Sequence, residues 1–175
     1  MLQALGINMV IVGPNLQKEK DCETILRSLP NWFGIEESIQ MYVRDSALVP
    51  SFGFESGSTL SGFISLKEHF PRAWEVHCIA VQATDRNGGV GSELLNHAEL
   101  WLASKGVRFL QIKTIADTSA DPFYAETREF YLRRGYEPIE VFPELWGPTN
   151  PALQLVKVLK LPNKRLQSDA AQPRT

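Results

Sequence analysis

Cysteine is scarce: Cys22 and Cys78 are the only two in 175 residues, which gives no disulfide framework. Cys78 falls on the apolar side of a strand pattern, where a packed thiol is the plainer reading. An excess of positive charge is also missing. The formal net charge is −2 and the pI near 5.9, so the clustered Lys and Arg that phosphate neutralisation needs are absent and nucleic acid is not an expected partner. No apolar run approaches the ~18 residues of a membrane span. The N-terminus lacks a signal peptide's basic region and cleavage site, and Asn8 interrupts its apolar stretch, so a soluble cytoplasmic protein is expected. Among His69, His77 and His97 no metal-ligand spacing occurs, and no metal is expected.

What the chain does have is apolar content. At 43% hydrophobic residues it can build one core, expected over residues 1–161 as a single domain. Residues 162–175 are rich in Asn, Gln, Ser and Pro without periodicity, and are expected to be a disordered tail. That tail is net basic (Lys164, Arg165 and Arg174 against Asp169), which leaves the body mildly acidic.

Periodicity orders the rest. Ile7–Val12 reads as a strand, Asp21 as the cap of a helix ending before Pro30, and Glu36–Ser46 as a second helix. Phe52–Glu55 and Thr59–Leu66 read as strands around Ser56-Gly57-Ser58, followed by a strand at Ala73–Val81. Val90–Lys105 carries Val90, Leu94, Leu95, Ala98, Trp101 and Leu102 on one helical stripe, stopped by Gly106. A strand at Val107–Ile115, a helix at Phe123–Arg134 and strands at Tyr136–Phe142 and Ala152–Leu161 complete a mixed α/β order.

Between the strand at 73–81 and the helix at Val90 lies Arg86-Asn87-Gly88-Gly89-Val90-Gly91-Ser92. Glycines let a chain turn its N–H groups inward, and the helix that follows adds the positive end of its dipole. Arg86 can add a charged fork. This is an anion cradle suited to a pyrophosphate. It follows neither the G-x-G-x-x-G dinucleotide fingerprint nor the P-loop ending in Gly-Lys-Ser/Thr.

Arg86, Gly89 and Gly91 do spell R-x-x-G-x-G, and Phe130-Tyr131-Leu132-Arg133-Arg134-Gly135-Tyr136 follows at the end of a later helix. With the Glu75/His77 strand, these residues resemble the GCN5-related N-acetyltransferase (GNAT) superfamily over about residues 7–160, and a bacterial member of it. The tail's wording resembles peptides read through an integron cassette recombination site. The resemblance implies a GNAT fold: a mixed central sheet of six to seven strands, flanking helices and a splayed cofactor cleft. It also implies acetyl-CoA as co-substrate and a small-molecule or protein amine as acceptor, and it leaves a homodimer open.

Alternation places Glu75, His77, Ile79 and Val81 on one side of their strand, and Trp74, Val76, Cys78 and Ala80 on the other. An ammonium has no lone pair, so transfer to an amine needs a base. The resemblance points to the positions of Glu75 and His77, with Glu75 preferred. It makes Tyr131 the acid that protonates the departing thiolate, a role suited to a phenol that stays protonated near neutrality. Backbone groups of Ile79, Ala80 and Val81 are expected to pair with the pantetheine amides as an added strand does. Arg86 through Ser92 are expected to hold the pyrophosphate. Tyr124 stands where many relatives carry a pantetheine-binding asparagine, and Trp32, Phe33 and Trp146 are expected to wall the acceptor site. The rival reading is a non-catalytic acyl-CoA-binding sensor, which needs neither Glu75 nor Tyr131.

Overall fold

The computed structural model describes residues 9–118 and 121–162. The start of the first predicted strand (Ile7, Asn8) and the tail from residue 163 lie outside the described residues. In chain order the elements are β1 (Met9–Val12), α1 (Glu19–Arg27), α2 (Glu36–Leu48), β2 (Ser51–Ser56), β3 (Thr59–Phe70) and β4 (Ala73–Val81). After them come α3 (Val90–Ser104), β5 (Phe109–Ile115), α4 (Pro122–Leu132), β6 (Glu137–Phe142) and β7 (Ala152–Val158). The strands form one mixed sheet in the order β1-β2-β3-β4-β5-β7-β6. Every pairing is antiparallel except β4 with β5, the parallel pair that α3 connects.

Two cores cover the two faces. One packs Leu94, Leu95, Ala98 and Leu102 of α3 with Tyr131 of α4 against Trp74, Val76, Leu110 and Ile112. The other packs Cys22, Ile25 and Leu26 of α1 with Ile39 of α2 against Phe63, Cys78 and Ala80. The predicted stripe of α3 is thus the buried one. His97, which sequence alone would leave to solvent, packs edge-on to Phe52 at 4.7 Å between centroids. Asp21 does not cap α1. The helix begins two residues earlier, and the Asp21 carboxylate instead accepts the Leu60 N–H at 3.3 Å.

The main correction concerns β4. Against β3, Ser65 faces Cys78 but the next residue, Leu66, faces Val76, so His77 is the extra residue of a β-bulge. A bulge reverses which side of the sheet the following residues face. Trp74 and Val76 accordingly pack under α3, whereas Cys78 and Ala80 pack under α1. Ile79 and Val81 turn back toward the α3 core. The predicted apolar set is buried throughout, but it is divided between two cores rather than sharing one face.

Candidate active site

The β4–β5 pairing covers only Ala73↔Phe109, Trp74↔Leu110 and Glu75↔Gln111. Past Glu75 the strands part, and β5 continues with β7 as its partner. From Val76 to Val81, β4 therefore offers backbone groups on its β5 side that no strand satisfies. Buried polar backbone left unpaired is costly, so this edge suits an extended amide-bearing guest. The splay opens a cleft of about 1550 Å³.

At the end of β4 the chain makes one 3₁₀ turn, Ala83–Asp85, and then the glycine loop. Asn87 (φ 62°) and Gly89 (φ 91°) both adopt left-handed backbone, which turns successive N–H groups to one side. Gly89 precedes the first residue of α3, and its carbonyl accepts from Ser92 and Glu93. The N–H groups of Val90 and Gly91, in the first turn, have no intrahelical carbonyl to bond. Arg86, Asn87, Gly89, Val90, Gly91 and Ser92 all line the cleft; Gly88 does not. Arg86 lies across its mouth, 4.1 Å over the Trp32 ring and 3.3 Å from the Glu126 carboxylate. That pair is exposed and hence weak, so an anion can displace it.

The two candidate bases part company. Glu75 is not among the cleft-lining residues. Its Oε2 accepts from Lys113 Nζ at 2.9 Å and Gln111 Nε2 at 3.2 Å, and lies 2.6 Å from His69 Nε2. Burial disfavours its charge, but Lys113 and His69 outweigh that and hold the carboxyl below its ordinary range. A carboxylate so committed is a poor proton acceptor. His77, on the bulge, does line the cleft. Its Nε2 meets Asp45 Oδ2 of α2 at 2.9 Å, and its ring packs edge-on to Tyr42 at 5.3 Å. With Nε2–H donated to Asp45, Nδ1 carries the free lone pair.

Tyr131 is buried, lines the cleft, and makes no hydrogen bond through its hydroxyl to any described residue. Burial pushes its phenol up, as it does that of Tyr124. Tyr124 also lines the cleft, but its hydroxyl donates to the Trp32 carbonyl at 3.1 Å. Trp32 Nε1 donates to Thr127 Oγ1 at 3.2 Å and its ring packs edge-on to Phe123 at 5.1 Å. These contacts tie the α1–α2 segment to α4 across the splay. Phe33, Trp146, Ile79, Ala80 and Val81 line the same cleft.

Three residues here escape sequence reasoning. Asp45 lies in α2 with no local pattern to mark it. Arg134 bonds the Phe130 carbonyl at 2.9 Å and the Ser92 hydroxyl, beside the glycine loop. Thr114 was detectable: it follows Leu110 and Ile112 on the core-facing side of β5, where a hydroxyl is out of place. Its Oγ1 is buried and without a partner among the described residues, and Thr114 lines the cleft.

The architecture is a splayed mixed α/β sheet with a glycine-rich loop between its central strand and the helix that follows. The chain matches the acetyltransferase (GNAT) family over residues 19–136 and belongs to it. Solved structures share the fold. A GNAT-family protein from Desulfovibrio desulfuricans superimposes with a TM-score of 0.77 at 15% identity, covering 87% of this chain and 100% of its own. The aminoglycoside 6′-N-acetyltransferase from Enterococcus faecium gives 0.67 at 19% identity, covering 90% and 99%. A GNAT acetyltransferase from Elizabethkingia anophelis with acetyl-CoA bound gives 0.67 at 18% identity, covering 87% and 99%. At these identities the likeness is one of fold. No curated protein matches the chain. Acetyl-CoA, the co-substrate expected of this family, suits the residues present: the glycine loop for its pyrophosphate, and the open β4 edge and orphan Thr114 hydroxyl for its amide-bearing arm. No described helix is long and apolar enough to cross a membrane. No cluster of three or more His, Cys, Asp or Glu among the described residues could hold a metal.

Proposed function

We propose that this chain is an N-acetyltransferase that moves an acetyl group from acetyl-CoA to a primary amine by direct transfer in a ternary complex. The observation that carries the reading is one cleft lined by the glycine loop, the partnerless β4 edge, His77 and Tyr131. Bound acetyl-CoA supplies an activated thioester. The loop N–H groups and Arg86 hold its phosphates. The backbone of β4 orients its arm and donates to the oxygen that gains charge as the amine adds. His77 Nδ1 takes the proton the ammonium must lose, and Asp45 fixes the tautomer and steadies the imidazolium. Tyr131 delivers the proton the departing sulfur needs. Neither cysteine suits an acyl-enzyme: both are buried, and burial pushes both thiols up, Cys22 to about 11. The sensor alternative requires neither the His77–Asp45 pair nor Tyr131.

The test is CoA release with an amine panel, comparing wild type with His77→Gln and Glu75→Gln. His77→Gln is expected to lower kcat about 10²–10⁴-fold at neutral pH, with recovery as rising pH deprotonates the amine. Glu75→Gln should keep most activity but lose about 1–3 kcal/mol of stability, because Lys113 is left without its partner. The depressed carboxyl contributes stability above its unfolded value of about 4.3 and loses it as pH falls through the folded value. The stability gap between Glu75→Gln and wild type should therefore close in acid. Near-wild-type turnover in His77→Gln, with Glu75→Gln dead but folded, would return the base to Glu75.

Thr114 gives a second check. Thr114→Val removes a hydroxyl that bonds no described residue, so stability should hold or rise, whereas the affinity for acetyl-CoA should drop about 5- to 10-fold. Unchanged affinity by calorimetry would take Thr114 out of the cofactor site.

A further inference from the structure

Arg133 and Arg134 follow the last residue of α4 and both line the cleft, yet the proposed reaction leaves them without a role. Arg134 bridges two helix ends. Its Nη1 donates to the Phe130 carbonyl at 2.9 Å in the last turn of α4, and its Nη2 donates to the Ser92 hydroxyl in the first turn of α3. The guanidinium lies 3.6 Å over the centre of the Phe130 ring, and that ring in turn packs beside Gly91. Arg134 is thereby fixed at the helix side of the glycine loop.

Its charge is not met there. A cation suits the C-terminal end of α4, but the start of α3 is a positive pole. Arg134 forms no ion pair with a described carboxylate: Glu129 goes to Arg133 at 3.1 Å, and Glu99, whose field does reach Arg134, is taken by Lys157 at 2.6 Å and Tyr136 at 2.9 Å. The other acids lining the cleft serve other places. Asp121 caps the opposite end of α4, Glu126 lies by Arg86, and Asp85 is on the turn before the loop. Partial burial and the neighbouring Arg133 charge both weigh against the guanidinium and lower its pKa. Described residues take one N–H from each Nη, which leaves donors spare. A partly desolvated fork with spare donors, beside a second cation and a helix N-terminus, is a place an anion completes.

Acetyl-CoA brings two kinds of anion. Its pyrophosphate has the loop N–H groups and Arg86. Its ribose carries a separate 3′-phosphate, a monoester with a charge of about −1.5 to −2 at neutral pH, which a fork next to a second arginine matches. We infer that Arg134, reinforced by the Arg133 charge, binds the ribose 3′-phosphate of the cofactor, so that the chain selects a 3′-phosphorylated nucleotide thioester over one lacking that phosphate. The inference rests on the acetyl-CoA reading above and extends it to the nucleotide end; it needs neither His77 nor Tyr131.

The experiment measures CoA and dephospho-CoA binding to the full chain by calorimetry, in wild type, Arg134→Gln and Arg134→Lys, with CoA release to an amine panel measured separately. Wild type is expected to bind CoA about 10- to 100-fold more tightly than dephospho-CoA, by a ratio that shrinks as salt is raised. Arg134→Gln should bind both ligands about as wild type binds dephospho-CoA. Arg134→Lys keeps the charge without the fork and should retain part of the preference. Equal wild-type affinities overturn the inference and leave the cofactor reading standing. Equal weakening of both ligands in Arg134→Gln also overturns it, because the arginine would then serve the pyrophosphate or the packing of the loop. No CoA binding by wild type overturns the cofactor reading, and the inference falls with it. A preference that Arg134→Gln abolishes, without CoA release to any amine, upholds the inference and overturns the transfer step alone. If Arg134→Gln does not fold, Arg134→Lys decides, and an undiminished preference there overturns the inference.

Discussion

A Gly91→Asp variant should fold normally and lose its affinity for CoA. Gly91 is in the first turn of α3, and a Cβ there would meet Val81 Cγ2 at 3.5 Å and Phe130 Cζ at 3.6 Å, both ordinary contacts. Its backbone is not left-handed, so a side chain brings no strain. A carboxylate at a helix N-terminus is favourable by about 0.3–1 kcal/mol, so melting temperature should hold or rise slightly. The same carboxylate would occupy the anion cradle and repel a pyrophosphate at close range in a partly desolvated cleft, an effect of about 100-fold or more in affinity. Calorimetric titration beside thermal melts checks both halves. Wild-type CoA affinity in a folded Gly91→Asp protein would remove the glycine loop from the cofactor site.

Tyr131→Phe should lower kcat about 10²–10⁴-fold while cofactor affinity and stability stay near wild type. The reason lies in what the hydroxyl touches: it bonds no described residue, so removing it orphans no described group. The ring's edge-on packing on Phe130 at 5.2 Å and Tyr136 at 5.8 Å survives in the variant. Because burial holds the phenol above its ordinary value, wild-type Tyr131 stays protonated throughout a neutral assay and contributes no limb to the rate profile there. Single-turnover measurements isolate the chemical step. A normal single-turnover rate would make Tyr131 a packing residue, and a large fall in melting temperature would do the same by another route.

Much of this molecule is legible in its residues. The stripe of α3, the strand at Ala73–Val81 and the glycine-rich turn are consequences of local periodicity and local backbone preference, which a single segment carries by itself. The buried status of Trp74, Val76, Cys78 and Ala80 follows the same way. Thr114 carries a local signal too, a hydroxyl on the apolar face of its strand, but was not among the expected site residues. Glycine at 89 belongs to this group too, since a left-handed residue ahead of a helix calls for it.

Other features depend on partners far along the chain, and the sequence by itself does not determine them. The bulge at His77 is a mismatch of register between β3 and β4, so no reading of β4 alone could find it. It moves Cys78 and Ala80 to the opposite core and turns His77 toward Asp45, 32 residues earlier. Glu75 looks like a base on its own strand, yet Lys113, 38 residues later, claims its carboxylate once β5 pairs beside it. Trp32 closes onto Thr127 across 95 residues. Periodicity reports which side chains are buried, because burial follows from alternation along one element. Which charge meets which, and which candidate is left free to act, is set by how strands register and part in three dimensions.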